Sequence, residues 1–150
     1  GTVFKFEQEA RNAGYNPEGM VSDGVLAQMM LEYRGNLGLL EGVLATDIYT
    51  SEVPMSAFGK AVKGNLKTQF DTPATTLTAL GSEGGQVVLT ALAKCGRNPQ
   101  NECVNRMIRS GNEIEGVLES FTIDLDGKAQ RPVYINKITN KQLRFLLKVN

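Results

Sequence analysis

Cys95 and Cys103 are the two cysteines of this sequence, and the run Gly96-Arg97-Asn98-Pro99 that opens the stretch between them is loop-like. A turn there would bring the two thiols close. A disulfide closing so short a loop contributes about 2–3 kcal/mol on a chain-entropy estimate, and it would imply an oxidising compartment. Two unpaired thiols are the alternative reading. The spacing fits neither a CxxC redox motif nor a zinc site. Histidine is absent, which excludes Ser-His-Asp and Cys-His catalysis and histidine metal sites within the chain.

Other polar groupings are weaker. Asp124-Leu125-Asp126-Gly127 lacks the further oxygen ligands and terminal glutamate of a calcium loop, so it reads as a hairpin turn. Gly81-Ser82-Glu83-Gly84-Gly85 lacks the Lys-Ser/Thr of a phosphate loop and lies inside an apolar helical pattern. Glu113, Glu115 and Glu119 read as a solvated edge rather than an acid/base pair. No nucleophile–base pair stands out. The expectation is a non-enzyme with no catalytic residue, no metal and no cofactor.

Composition narrows the class further. The 150 residues are 41% hydrophobic and 21% charged, as in a folded globular domain. Lys plus Arg and Asp plus Glu both count 16, so no basic excess points to nucleic acid. No apolar run approaches the roughly 20 residues of a membrane helix. Gly1-Thr2-Val3-Phe4 carries neither the basic segment nor the apolar stretch of a leader peptide. A mature exported form, its leader removed, fits equally.

These side chains must be positioned by alternating elements. Val3, Phe6, Ala10 and Ala13 recur at helical spacing, with Gly14 as C-cap. A turn leads to a short strand at Met20-Val21. Ser22-Asp23-Gly24 opens a second helix with Leu26, Met29, Met30 and Tyr33 on one face, broken by Gly35 and Gly38. Leu39 to Ile48 reads as one buried strand. Pro54 suits the first turn of a helix carrying Phe58, Ala61, Val62 and Leu66. Leu77, Leu80, Val87, Val88, Ala91 and Leu92 mark a long helix, despite three glycines. Asn98 and Pro99 then read as N-cap and first position of a helix with Val104, Met107 and Ile108. Alternation takes over afterwards: Phe121-Ile123-Leu125, a turn at Asp126-Gly127, a strand from Arg131 to Ile138, a turn at Asn140-Lys141, and a last strand through Leu143, Phe145, Leu147 and Val149. The fold class is α/β: a layered, Rossmann-like sheet with flanking helices and a C-terminal β-hairpin region.

The order of these pieces resembles the C-terminal portion of a type I periplasmic binding protein of the branched-chain amino-acid (Leu/Ile/Val) family. The resemblance covers almost the whole chain. It rests on Phe6-Glu7-Gln8-Glu9-Ala10-Arg11-Asn12-Ala13-Gly14-Tyr15, on Met20-Val21-Ser22-Asp23-Gly24 and on Leu40-Glu41-Gly42-Val43-Leu44-Ala45-Thr46. It continues through Gly116–Gly127, with its apolar strand and D-x-G turn, and Pro132–Ile138, similar to the family's final crossing strand. Family members run to more than twice this length, and the aromatic residue often found in their long helix near Ser82-Glu83 is absent here.

The resemblance implies a division into residues 1–50 as a partial lobe, 51–120 as the helical part of the other lobe, and 121–150 as C-terminal strands and hinge crossing. It implies an extracytoplasmic, periplasmic solute-binding component of an ABC importer, closing two lobes on an amino acid or similar small polar metabolite. Asp23 is then the ligand residue, because a carboxylate in a closed cleft makes strong charge-assisted bonds to an α-ammonium. Ser22 adjoins it, and Tyr49 and Thr46 end a strand where open α/β sheets bind ligands. Read from the residues alone, Asp23 or Ser22 caps the helix starting near Val25, and Tyr49 is a hinge residue. Expected partners are the small-molecule ligand and the ABC transporter membrane subunits, with no nucleic acid. Apolar stripes on helices such as Leu77–Lys94 add a homodimer or a missing N-terminal fragment. A sensor or regulatory interaction domain of the same fold, without transport, is the alternative function.

Overall fold

The computed structural model describes residues 2–15, 21–22 and 37–150. It divides into two compact units, residues 1–52 with 133–149, and residues 53–132.

The first unit holds α1 (Thr2–Asn12), β1 (Val21–Ser22), a 3-10 turn (Leu37–Leu40), β2 (Leu44–Asp47), β5 (Val133–Thr139) and β6 (Gln142–Val149). Its sheet has the order β1-β2-β5-β6. β1 runs parallel to β2, and the other two pairings are antiparallel. Alternation along β2 and β5 turns Ala45 and Asp47, and Tyr134, Asn136 and Ile138, to one buried face. Tyr134 meets the Phe145 ring edge-on, with centroids 6.2 Å apart. Glu41 fastens the hairpin between β5 and β6 by accepting from the backbone N–H groups of Asn140 and Lys141. Both turn residues have positive φ, 53° and 61°, the geometry that a two-residue hairpin favours.

The second unit holds α2 (Ala57–Phe70), α3 (Thr76–Cys95), α4 (Asn101–Ile108) and a small hairpin of β3 (Thr122–Ile123) and β4 (Ala129–Gln130). Its core joins Val87, Ile114 and Phe121, with Ile108 and Ile123 packed against them. Ser56 caps α2 by accepting from Gly59 N–H at 2.9 Å and donating to the Gly116 carbonyl at 2.7 Å. Gly59 is required there: a Cβ would lie 2.0 Å from the Val117 carbonyl oxygen. α3 starts with a capping box between Thr75 and Thr78.

Several expected boundaries move, each for a local reason. The run Leu39–Ile48 is not one strand. Gly42 takes φ +85° after the 3-10 turn, and β2 begins only at Leu44. α2 begins at Ala57 behind Ser56, so Pro54 lies ahead of the helix. α4 begins at Asn101 with Gln100 as N-cap and no side-chain capping bond, so Asn98 and Pro99 belong to the preceding loop. The strand expected from Arg131 to Ile138 begins only at Val133, after Pro132, which has no N–H to give a ladder. Leu125 lies outside β3 and is 81% exposed. The helix expected over Leu26–Tyr33 lies outside the described residues.

Candidate functional site

The candidate site is built on the end of β2, within the first unit. The strand leaves the sheet at Asp47, and the next residues fold back on that carboxylate. Its Oδ1 accepts from the backbone N–H of Ile48 at 2.7 Å and of Tyr49 at 3.1 Å. This is the side-chain-to-backbone turn that aspartate favours. Thr50 accepts from Glu52 N–H. Asp47, Tyr49 and Thr50 are all buried, so the strand end is a dry, polar corner rather than a solvated loop. Burial first, and the Asp47 carboxylate second, push the Tyr49 phenol above its ordinary 10.0. The phenol therefore stays protonated and can donate a hydrogen bond.

Glu52 pins the far side of this turn to β6. It takes Arg144 Nη1 at 2.6 Å on one oxygen and Phe145 N–H at 2.7 Å on the other. The Arg144 hydrogen bond, then the Phe145 N–H, hold its carboxyl below the ordinary 4.5.

Ser22 ends β1 opposite Ala45 of β2. Because the two strands are parallel, both run out at the same end of the sheet, the end where Tyr49 follows β2. The topology thus brings the Ser22 and Tyr49 positions to one sheet end. Asp23 lies outside the described residues. Sequence reasoning missed Asp47 and Thr50. The available signal was a carboxylate near the end of the strand pattern, followed by Ile48-Tyr49-Thr50-Ser51, whose polar residues suit an aspartate turn.

The second unit carries a different polar centre. Glu83, buried in α3, accepts from Val117 N–H at 2.8 Å and pairs with Arg131 at 2.7 Å. The Arg131 guanidinium lies 5.0 Å over the Phe121 ring. Glu115, expected as part of a solvated edge, accepts from Phe58 N–H in the first turn of α2. Asp124 accepts from Lys128 N–H and Gln130 Nε2, which makes the D-x-G segment a tied hairpin. Gly81 to Gly85 lie within α3. Cys95 and Cys103 form a disulfide, fastening the end of α3 to α4. Among the described residues no three acidic or thiol side chains group to hold a metal. What the strand end offers is hydrogen bonding and charge.

No family model and no curated protein matches the sequence. Solved structures do. A leucine-binding protein, LivK, from Thermotoga maritima is 22% identical, with a TM-score of 0.85 over 99% of this chain and 42% of that one. A substrate-binding protein of an ABC transporter from Desulfitobacterium hafniense, solved with Leu, is 17% identical, with a TM-score of 0.75 over 97% of this chain and 40% of that one. The branched-chain amino acid transporter substrate-binding protein LivJ from Streptococcus pneumoniae, solved with isoleucine, is 18% identical, with a TM-score of 0.74 over 95% of this chain and 41% of that one. The chain has the type I periplasmic binding protein fold and spans about two fifths of the length of these proteins.

Proposed function

We propose that this chain acts outside the cytoplasm as a solute-binding component of an ABC importer, holding an amino acid or a similar small polar metabolite without chemical change. The observation that carries the reading is the fold match along 99% of the chain to a leucine-binding protein. The disulfide supports an extracytoplasmic setting, since such bonds persist where the environment is oxidising.

At the residue level, Asp23 accepts hydrogen bonds from the solute's ammonium, while Ser22 and Tyr49 supply hydroxyls from the same end of the sheet. Tyr49 suits that role because it is withdrawn from water and held protonated. Binding needs no reacting group. The solute favours the conformation that completes its hydrogen bonds, and the membrane subunits of the importer respond to that conformation.

Isothermal titration of the chain with a panel of amino acids tests this. Saturable one-to-one binding is expected, weakened about 10-fold or more by Asp23→Ala, the usual loss for one charge-assisted bond. Heat signals indistinguishable from dilution for every member of the panel would refute it.

A further inference from the structure

The chain passes from the first unit to the second after Glu52 and returns after Pro132. Both crossings reach the first unit on fixed strands. Glu52 is held to β6 through Arg144 and the Phe145 N–H. Val133 is the first residue of β5 and is paired with Val149 of β6.

The second-unit ends of the crossings are fastened to each other. On the first crossing, Ser56 donates its backbone N–H to the Val117 carbonyl at 3.1 Å and its hydroxyl to the Gly116 carbonyl at 2.7 Å. On the second, Arg131 grips the Glu83 carboxylate with two hydrogen bonds. Glu83 Oε1 also accepts from Val117 N–H at 2.8 Å. A relay from Ser56 through Val117 and Glu83 to Arg131 thus joins one crossing to the other, and it lies entirely within residues 53–132. Gly116 leaves it no slack: a Cβ there would lie 2.8 Å from Glu83 Oε1 and 2.4 Å from the Glu119 carbonyl oxygen.

Apolar packing in place of a buried ion pair commonly holds a fold as well. What the two-pronged pair adds is fixed geometry. The residues between the fastened ends are Val53, Pro54 and Met55 on the first crossing and Pro132 on the second. Two of these are prolines, whose φ is fixed near −65°. A few connecting residues of this kind are where a hinge takes up its change in backbone torsion.

We infer that Glu83 joins the two crossings into one support on the second unit, so that bending between the units is confined to residues 53–55 and to the torsions beside Pro132, and both crossings bend together. Glu83 is then a positioning residue of the joint. The inference concerns the joint alone and stands whether or not the chain binds a solute.

Amide hydrogen exchange of the whole chain, followed residue by residue by NMR, tests it by disturbing one crossing and reading the other. Arg131→Gln removes the charged grip on the second crossing. It should speed exchange of the Val117 and Ser56 N–H groups about tenfold or more, although Ser56 is remote in sequence, while amides in the middle of α3 stay within about twofold of the parent. Arg131→Lys keeps the charge but not the two-pronged grip. It should show the same selective pattern to a lesser degree, and it carries the test if the glutamine variant does not fold. Unchanged exchange at Ser56 in a folded variant would overturn the inference. So would equal acceleration at Ser56 and throughout α3, which is what a merely stabilising ion pair would give.

Discussion

Glu83 and Arg131, on α3 and just beyond β4, are joined by two hydrogen bonds, 2.7 Å from Nη1 to Oε2 and 3.2 Å from Nη2 to Oε1. The same Oε1 holds Val117 N–H. One carboxylate thus ties a helix, a loop and the segment that leads to β5. Both side chains are largely withdrawn from water, Glu83 at 4% and Arg131 at 15% exposure. Glu83→Ala should therefore cost about 3–5 kcal/mol, because it strands the guanidinium. Glu83→Gln keeps an acceptor for Val117 and should cost less. Urea denaturation would read both, and a loss below about 1 kcal/mol for the alanine variant would contradict the role.

Asn136 is fully buried in β5, and neither atom of its amide has a hydrogen-bond partner among the described residues. Replacing an unpartnered buried amide with an apolar side chain of similar size removes a desolvation cost. Asn136→Leu should be neutral or stabilise by about 1 kcal/mol. A loss of stability in the same denaturation experiment would mean that the amide is satisfied in solution.

Glu52 sets an acid limit on the first unit. Its folded carboxyl lies below the ordinary 4.5 because of Arg144 and Phe145 N–H. The unfolded chain thus binds the proton more readily, and stability from this group is present above pH 4.5 and lost as pH falls through the folded value. Asp124, held below 3.8 by Lys128 N–H and then Gln130, acts in the same sense at lower pH. Thermal unfolding followed from about pH 6 to about pH 3 should show a shallower acid decline in Glu52→Gln than in the parent chain. Identical declines would remove Glu52 from the account.

Reducing the bond between Cys95 and Cys103 should lower stability by about 2–3 kcal/mol on the chain-entropy estimate. Denaturation with and without reductant measures it, and Cys95→Ser/Cys103→Ser should match the reduced protein. A chain whose stability ignores reductant would show that the link adds nothing to the contact of α3 with α4.

How much of this was legible depended on the range of the forces involved. Local periodicity marked α1, α3 and β6, and turn chemistry marked Asp126-Gly127 and Asn140-Lys141, because those signals lie within a few residues of one another. The Cys95–Cys103 pair was legible for the same reason. Glu83 was not. Its partners, Val117 and Arg131, are distant in sequence, and its own neighbourhood read only as a glycine-rich run that fails as a phosphate loop. Asp47 was hidden because the run Leu39–Ile48 looked continuous, whereas Gly42 bends the chain and brings the strand end, with its aspartate turn, to Asp47. Ser22 and Tyr49 were selected from sequence, and the parallel pairing of β1 with β2 sets their strands out at one end of the sheet.

Native mass spectrometry with a mixed amino-acid panel tests the central claim most directly. Solute binding predicts one retained amino-acid adduct per chain, lost in Asp23→Ala. A bare chain from every mixture, with the protein folded, would contradict it.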